Sequence, residues 1–189
     1  MLFHGEKINA IVLPEVARKT LLDHCFRKLS GEYFEGEESE KKAYGLIGGR
    51  IIEGFLYMCH IAPLTHNSRS VGLEKKRMDG LLNQHAEASE TPLARRGWVA
   101  EPLETLQINQ SLLEKELELV AAYHMHRVPW DNDPCRELPT HLDTVLAADS
   151  GLFTVIISTV NPEKPIIRAF YEGFPDKEIP MMFHPLEGV

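Results

Sequence analysis

The sequence predicts an α/β protein folded as a single domain. Short segments rich in β-branched residues alternate with longer segments whose apolar residues recur at helical spacing, as strands and helices do in one α/β unit. A chain of 189 residues is long enough for one complete hydrophobic core. Apolar residues make up 43% of it and charged residues 25%, a composition typical of globular proteins rather than of disordered chains.

The N-terminal part predicts a strand followed by a helix. Residues 8–13 are mostly β-branched or apolar and are followed by Pro14, which ends the strand and fits the first turn of a helix. From residue 15 to 29 apolar residues recur along one helical face, so we expect this helix to pack on the core. The glycine-containing and acidic stretch 30–42 predicts a solvated loop, because its acidic run 37–40 cannot bury itself.

The middle of the chain predicts a hairpin, an insertion and a second helix. Residues 44–61 indicate two strands joined by a glycine-containing turn. Residues 63–102 lack clear periodicity and indicate a functional loop or a short helical insertion, because structureless loops of this length are uncommon. The basic cluster 75–77 within the insertion is interpreted as a solvated face. Residues 103–117 predict a helix whose leucines contribute to a core or an interface.

The C-terminal part predicts a buried strand that ends in histidines, a polar loop, a short helix and two further strands. Thr140 is a suitable N-cap for the helix. These segments are, in order, residues 119–126, 129–139, 140–147, 153–158 and 166–171.

Charge and cysteine content exclude several classes of function. The net charge of -8 and the pI near 5.6 argue against nucleic-acid binding, which depends on clustered Lys and Arg. No apolar stretch is long enough for a membrane helix, and the first residues turn polar too early for a signal peptide. Cys25, Cys59 and Cys135 do not form a disulfide pattern. We therefore expect a cytoplasmic protein.

Two histidines and an aspartate form the candidate metal site. His124 and His126 are separated by one residue on a predicted strand, so their side chains point to the same face. Asp143, in the first turn of the following helix, is the candidate third ligand. Two histidines and one carboxylate leave a fourth tetrahedral position open, as in catalytic zinc sites. A ligand set that also uses Cys135, Asp131 or Asp133 is a less favoured alternative, because a loop of this composition is usually a turn.

The order His124, Met125, His126, thirteen further residues and then Thr140 to Asp143 resembles the JAMM (MPN+) metalloprotease motif H-x-H-x(10)-S-x-x-D. The flanking strands, the strand and helix of residues 8–29 and the glycines after Tyr44 are also similar to that family, so the resemblance covers most of residues 1–189 except 63–102. The resemblance implies a mixed central β-sheet flanked by helices, of the MPN or cytidine-deaminase-like kind. Cupins share the H-x-H element, but the glutamate and glycines that they need are missing here.

The resemblance also implies an activity and a set of residue roles. It implies a zinc peptidase or isopeptidase that hydrolyses the bond after the C-terminus of a ubiquitin-like protein, alone or as a dimer or complex subunit. Zn²⁺ is held by His124, His126 and Asp143, and Thr140 takes the place of the serine that assists the oxyanion. The spacer before Thr140 is three residues longer than the family pattern, and Arg127 stands where many relatives have proline.

The largest departure from the family concerns the general base. The family's glutamate lies three residues before the glycine that matches Gly45, and that position here is Lys42. A charged lysine cannot accept a proton and repels a metal ion. Glu40 supplies the carboxylate if the strand begins with a bulge or a shifted register, and Glu38 is a second choice. The alternative function is an inactive MPN-type scaffold that binds protein partners.

Overall fold

A computed structural model describes residues 1–87 and 91–184. Within these residues the secondary structure is, in chain order, β1 (Leu2–Phe3), β2 (Glu6–Lys7), β3 (Ala10–Pro14), α1 (Glu15–Ser30), β4 (Tyr44–Ile52), β5 (Phe55–Pro63), α2 (Gly72–His85), α3 (Pro102–Glu114), β6 (Glu118–His126), α4 (His141–Ala147), β7 (Phe153–Ser158), β8 (Ile166–Tyr171), β9 (Glu178–Ile179) and β10 (Met181–His184). The predicted α/β class is confirmed. None of the helices in the described part of the chain is long and apolar enough to cross a membrane.

Eight of these strands form one mixed sheet in the order β10-β3-β5-β4-β6-β7-β8-β9. The predicted hairpin is confirmed as antiparallel β4 and β5, joined by Glu53 and Gly54, both at positive φ, as in the tight turns that match strand twist. Strand β6 pairs antiparallel with β4 and parallel with β7. The strand that ends in the two histidines is therefore fixed from both sides at the centre of the sheet.

The sheet closes nearly into a barrel. The edge strand β9 pairs with β8, and the edge strand β10 pairs in parallel with β3 at the opposite edge. Pro180 alone separates β9 from β10, and its carbonyl accepts a hydrogen bond from the backbone N–H of Ile11 at 2.9 Å. The two edges of the sheet therefore meet at this residue. Strands β9 and β10 were not predicted from the sequence.

Helix α1 packs on one face of the sheet and forms the main core there. It begins after Pro14 with an acidic residue in its first turn, and it ends at Gly31, whose φ of 78° is the left-handed conformation of a helix C-cap. Its buried apolar residues join those of the strands, and Ile11, Ile47 and Tyr123 are among the strand residues in this cluster. The members from α1 are Ala17, Leu21, Leu22 and Cys25.

The loop between α1 and β4 contradicts one prediction. The acidic run 37–40 was expected to stay solvated, but Glu37 is only 7% exposed. Its carboxylate contacts Lys28 Nζ at 3.1 Å and accepts hydrogen bonds from both terminal nitrogens of Arg27. Lys28 is itself fully buried and donates to the carbonyl of Glu38. The prediction was wrong for Glu37, because α1 supplies the cations that compensate its buried carboxylate, whereas Glu38 and Ser39 are exposed as expected.

The insertion of residues 63–102 is helical, as one of the two interpretations predicted. It contains α2 and short 3-10 helices at Ser68–Ser70 and Leu93–Arg95, while residues 88–90 lie outside the described residues. Lys75, Lys76 and Arg77 are exposed or solvated as expected. The leucines of α3 differ in burial. Leu112 is buried, whereas Leu103, Leu106 and Leu113 are more than half exposed.

Candidate metal centre

Strand β6 sends alternate side chains to the two faces of the sheet. Tyr123 and Met125 point to the α1 side and belong to the main core. His124 and His126 therefore point to the opposite side, as the alternation of a strand requires. The register with β4 places His124 opposite Tyr44, and the register with β7 places His126 opposite Ser158. The predicted same-face arrangement of the two imidazoles is present.

The first turn of α4 holds Asp143 beside the histidines. Thr140 is the N-cap, and its hydroxyl accepts a hydrogen bond from the backbone N–H of Asp143 at 3.1 Å. The Asp143 carboxylate in turn accepts from the backbone N–H and the hydroxyl of Thr140 at 2.7 and 2.8 Å. This reciprocal capping box fixes both the helix end and the carboxylate.

The three side chains have the spacing of ligands around one ion. His124 Nε2 lies 3.0 Å from His126 Nε2 and 3.3 Å from Asp143 Oδ1, and His126 Nε2 lies 3.5 Å from Asp143 Oδ2. Ligands at tetrahedral zinc distances of about 2.1 Å are separated from one another by about 3.4 Å. One ligand atom from each residue can be chosen so that all lie within 4.8 Å of one another. The donor set and its spacing therefore fit a tetrahedral metal ion.

The surroundings orient both imidazoles. His126 Nδ1 lies 3.0 Å from the carbonyl oxygen of Arg136, which can only accept, so Nδ1 carries the proton and Nε2 presents a lone pair to the cluster. The His124 ring stacks on Tyr44 at 5.9 Å between centroids, and Tyr44 stacks on Trp98 at 4.7 Å. This aromatic stack links the strand to the insertion and limits rotation of the His124 ring.

The electrostatics favour metal binding. Burial alone would raise the pKa of Asp143, but the nearby His124 and His126 outweigh it and hold that pKa well below its usual range. Burial lowers the pKa of His126, although the Asp143 carboxylate, which would accept a hydrogen bond from the protonated imidazole, opposes this change. The carboxylate is therefore ionised and the imidazole of His126 neutral at pH 7, which are the states that ligate zinc.

A cavity of about 570 Å³ lies in front of the three residues. Its walls come from β4, β6, the insertion and α4. Apolar side chains such as Met78, Leu142 and Leu146 line it together with Trp98, and Lys42 contributes an ammonium group. A concave, largely apolar space with a few convergent polar groups is typical of ligand sites.

The two predicted catalytic residues, Thr140 and Glu40, have different surroundings in the structure. The Thr140 hydroxyl donates to Asp143, so it supports a candidate ligand directly. Glu40 accepts hydrogen bonds from Lys42 Nζ at 3.1 Å and from Asn67 Nδ2 at 3.4 Å. Burial, then the carboxylates of Asp143 and Glu40, raises the pKa of Tyr44. Both carboxylates therefore lie near the Tyr44 phenol, but Lys42 lines the cavity whereas Glu40 is not among its lining residues.

Sequence reasoning missed three residues of the site. Tyr44 and Trp98 form the stack on His124, and Arg136 supplies the carbonyl that orients His126. Tyr44 was assigned only to a strand, although its position before the glycines of β4 was noted. Trp98 and Arg136 lie in the insertion and in a polar loop, where no periodic pattern indicates which side chains turn inward.

No protein-family model matches the chain, and no curated protein matches its sequence. Among solved structures, the chain is similar to the solution structure of protein DSY2949 from Desulfitobacterium hafniense, a structural genomics target, with a TM-score of 0.59 and 20% identity. The similarity covers 93% of this chain and 94% of that chain. At this level of identity the similarity shows a shared fold alone.

Proposed function

We propose that this chain is a zinc-dependent peptidase or isopeptidase, of the JAMM type, that hydrolyses the bond after the C-terminus of a ubiquitin-like protein in the cytoplasm. The observation that carries the proposal is the convergence of His124, His126 and Asp143 at ligand spacing beside a cavity. The motif resemblance adds the reaction class. Two nitrogens and one carboxylate form the donor set of a catalytic rather than a closed structural zinc site.

The residues of the chain have distinct roles in this proposal. His124, His126 and Asp143 would hold the zinc ion, which would supply Lewis acidity that lowers the pKa of a water molecule to about 7 and polarises the scissile carbonyl. Glu40 would accept the proton of the attacking water and return it to the leaving amine, which requires its carboxylate to leave Lys42 and Asn67 and turn into the cavity. Thr140 holds Asp143 in position, and its hydroxyl would reach the oxyanion only by releasing its hydrogen bond to Asp143.

The test measures zinc content and cleavage together. We expect about one zinc per purified chain, by mass spectrometry of the metal, and cleavage of a ubiquitin-like fusion substrate. His126→Ala and Asp143→Asn lose both. The control is His141→Ala, which removes an exposed imidazole from the same end of α4. Cleavage that persists in both ligand variants after chelator treatment would refute the proposal.

The second candidate is an inactive scaffold that binds protein partners, and the contacts of Lys42 favour it. Its ammonium lines the cavity and neutralises Glu40, the proposed base. The discriminating variant is Glu40→Gln. In the enzyme it lowers kcat by about 100-fold or more while zinc is retained, because general-base catalysis contributes about that factor. In the scaffold, zinc-loaded wild-type chain and Glu40→Gln are equally inactive.

A further inference from the structure

The cavity beside the candidate metal centre is cationic, although the chain as a whole carries a net charge of -8. Its lining includes six cationic side chains but only three carboxylates. The cations are Lys42, Arg77, Arg95, Arg96, Arg127 and Arg136, and the carboxylates belong to Glu74, Glu87 and Asp143. Asp143 belongs to the proposed ligand set, so cations outnumber carboxylates in the rest of the wall, even though Lys42 is paired with Glu40 and Arg77 with Glu74.

Arg136 is the most deeply placed of these cations. It is only 7% exposed, and its guanidinium lies on the Trp130 ring at 3.6 Å, which fixes its plane. Its single ion pair among the described residues is a long contact of 3.9 Å with Asp133, and its guanidinium forms no hydrogen bond to any of them. Among the described residues the fully buried side-chain nitrogens without a partner belong to His24 and Trp98 and not to Arg136, so the donors of this largely buried side chain are accessible from the cavity.

Arg127 extends the cationic surface toward the metal-site strand. It directly follows His126, is exposed, and has no ion pair within residues 1–87 and 91–184. It lies within electrostatic range of Lys42 and Tyr44, on the side of the cavity where Glu40 is held. Arg127 and Arg136 are therefore two cations that line the same cavity.

From these contacts we infer that the cavity binds a carboxylate on the leaving group of the substrate, held by Arg136 and assisted by Arg127. A planar guanidinium fork matches a planar carboxylate through two parallel hydrogen bonds. A phosphate dianion fits less well, because Asp133, Glu87 and Asp143 already place negative charge around Arg136.

This inference rests on the proposed function and specifies its substrate class. The leaving group is an amino acid or short peptide with a free carboxylate, and Leu142 and Leu146 accommodate its aliphatic part. Hydrolysis consumes one water, adds its hydroxyl to the carbonyl carbon, breaks the C–N bond and transfers the proton to the leaving amine. The carboxylate at Arg136 takes no part in the bond changes and only positions the amine.

Binding to the full-length chain, measured by calorimetry after chelator treatment, tests the inference independently of zinc and of cleavage. The probes are N-acetylglycine, its neutral amide and inorganic phosphate. We expect N-acetylglycine to bind and the amide not to bind, and Arg136→Gln to weaken the binding by at least about tenfold. The control is Arg18→Gln, whose guanidinium is paired with Glu15 on α1, outside the cavity wall.

Each alternative outcome overturns the inference. These outcomes are equal binding of the amide, tighter binding of phosphate, no binding of any probe, and unchanged binding in Arg136→Gln. If Arg136→Gln does not fold, the exposed variant Arg127→Gln decides, with an expected weakening of at least about threefold, and unchanged affinity there overturns the inference. Arg136-dependent binding in a chain that cleaves nothing leaves this inference standing while the proposed function fails.

Discussion

Replacing Thr140 by valine should weaken both the fold and the metal centre. Valine has nearly the shape of threonine but lacks the hydroxyl, which accepts from the backbone N–H of Asp143 at 3.1 Å and donates to its carboxylate at 2.8 Å. The variant therefore removes the N-cap of α4 and one of the donors that hold the candidate ligand. Thr140→Ser keeps the hydroxyl and is the matched control.

The magnitude follows from these two hydrogen bonds. Loss of an N-cap costs about 1 kcal/mol, and loss of a hydrogen bond to a charged group costs about 1.5–3 kcal/mol. Because one hydroxyl makes both, the terms do not add fully, and we expect about 2 kcal/mol. For a chain of this size that corresponds to a decrease in Tm of about 4–8 °C. Zinc affinity should fall by about 10–100-fold, the usual effect of losing a group that orients a ligand.

The assay is calorimetric unfolding of chelator-treated protein, followed by zinc titration against a chelator of known affinity. Thr140→Ser should unfold near the wild-type temperature and bind zinc nearly as well. If valine and serine at position 140 give the same Tm and the same zinc affinity, the hydroxyl does not hold Asp143 and the argument from the capping box is wrong.

Two further predictions concern the α1 face of the sheet. Burial, then the charge of Arg27, lowers the pKa of His24 from 6.5 to about 4, so the unfolded chain binds the proton more tightly. Stability should therefore fall by about 3 kcal/mol as the pH drops from 6.5 to 4, measured by denaturant unfolding, and His24→Gln should flatten this part of the profile. Gly45→Ala adds a methyl group that overlaps the Tyr123 ring and should cost about 1–3 kcal/mol of unfolding free energy. Gly80→Ala, in α2 with open space around it, should instead add up to about 1 kcal/mol, and equal effects of the two alanines would contradict the packing argument.

The sequence predicted the elements whose side chains follow a period. The alternation in residues 119–126 correctly put His124 and His126 on one face, and Thr140 is the N-cap that its position suggested. These predictions succeed because strand pleating and helix capping are local. The third candidate ligand was expected from the following helix because Asp143 is only seventeen positions after His126 in the sequence.

What the sequence did not predict depends on contacts between distant segments. Glu37 is buried because Arg27 and Lys28 project from the preceding helix toward its loop, which no composition rule for acidic runs reveals. Trp98 reaches His124 through Tyr44, across more than fifty residues of chain. The burial of Arg136 likewise depends on its stacking on Trp130 within a loop that has no periodic pattern.

The meeting of the sheet edges at Pro180 affects how the molecule is made. Residues 181–184 of β10 pair with residues 11–14 of β3. Strand β3 is therefore synthesised early, but its partner β10 is synthesised near the end of the chain. Strands β4, β5 and β6, the last of which carries His124 and His126, are synthesised well before β10 can pair with β3. During synthesis β3 therefore presents an unpaired edge, and contacts of such long sequence separation form slowly. Nascent chains should be most prone to aggregation in this interval.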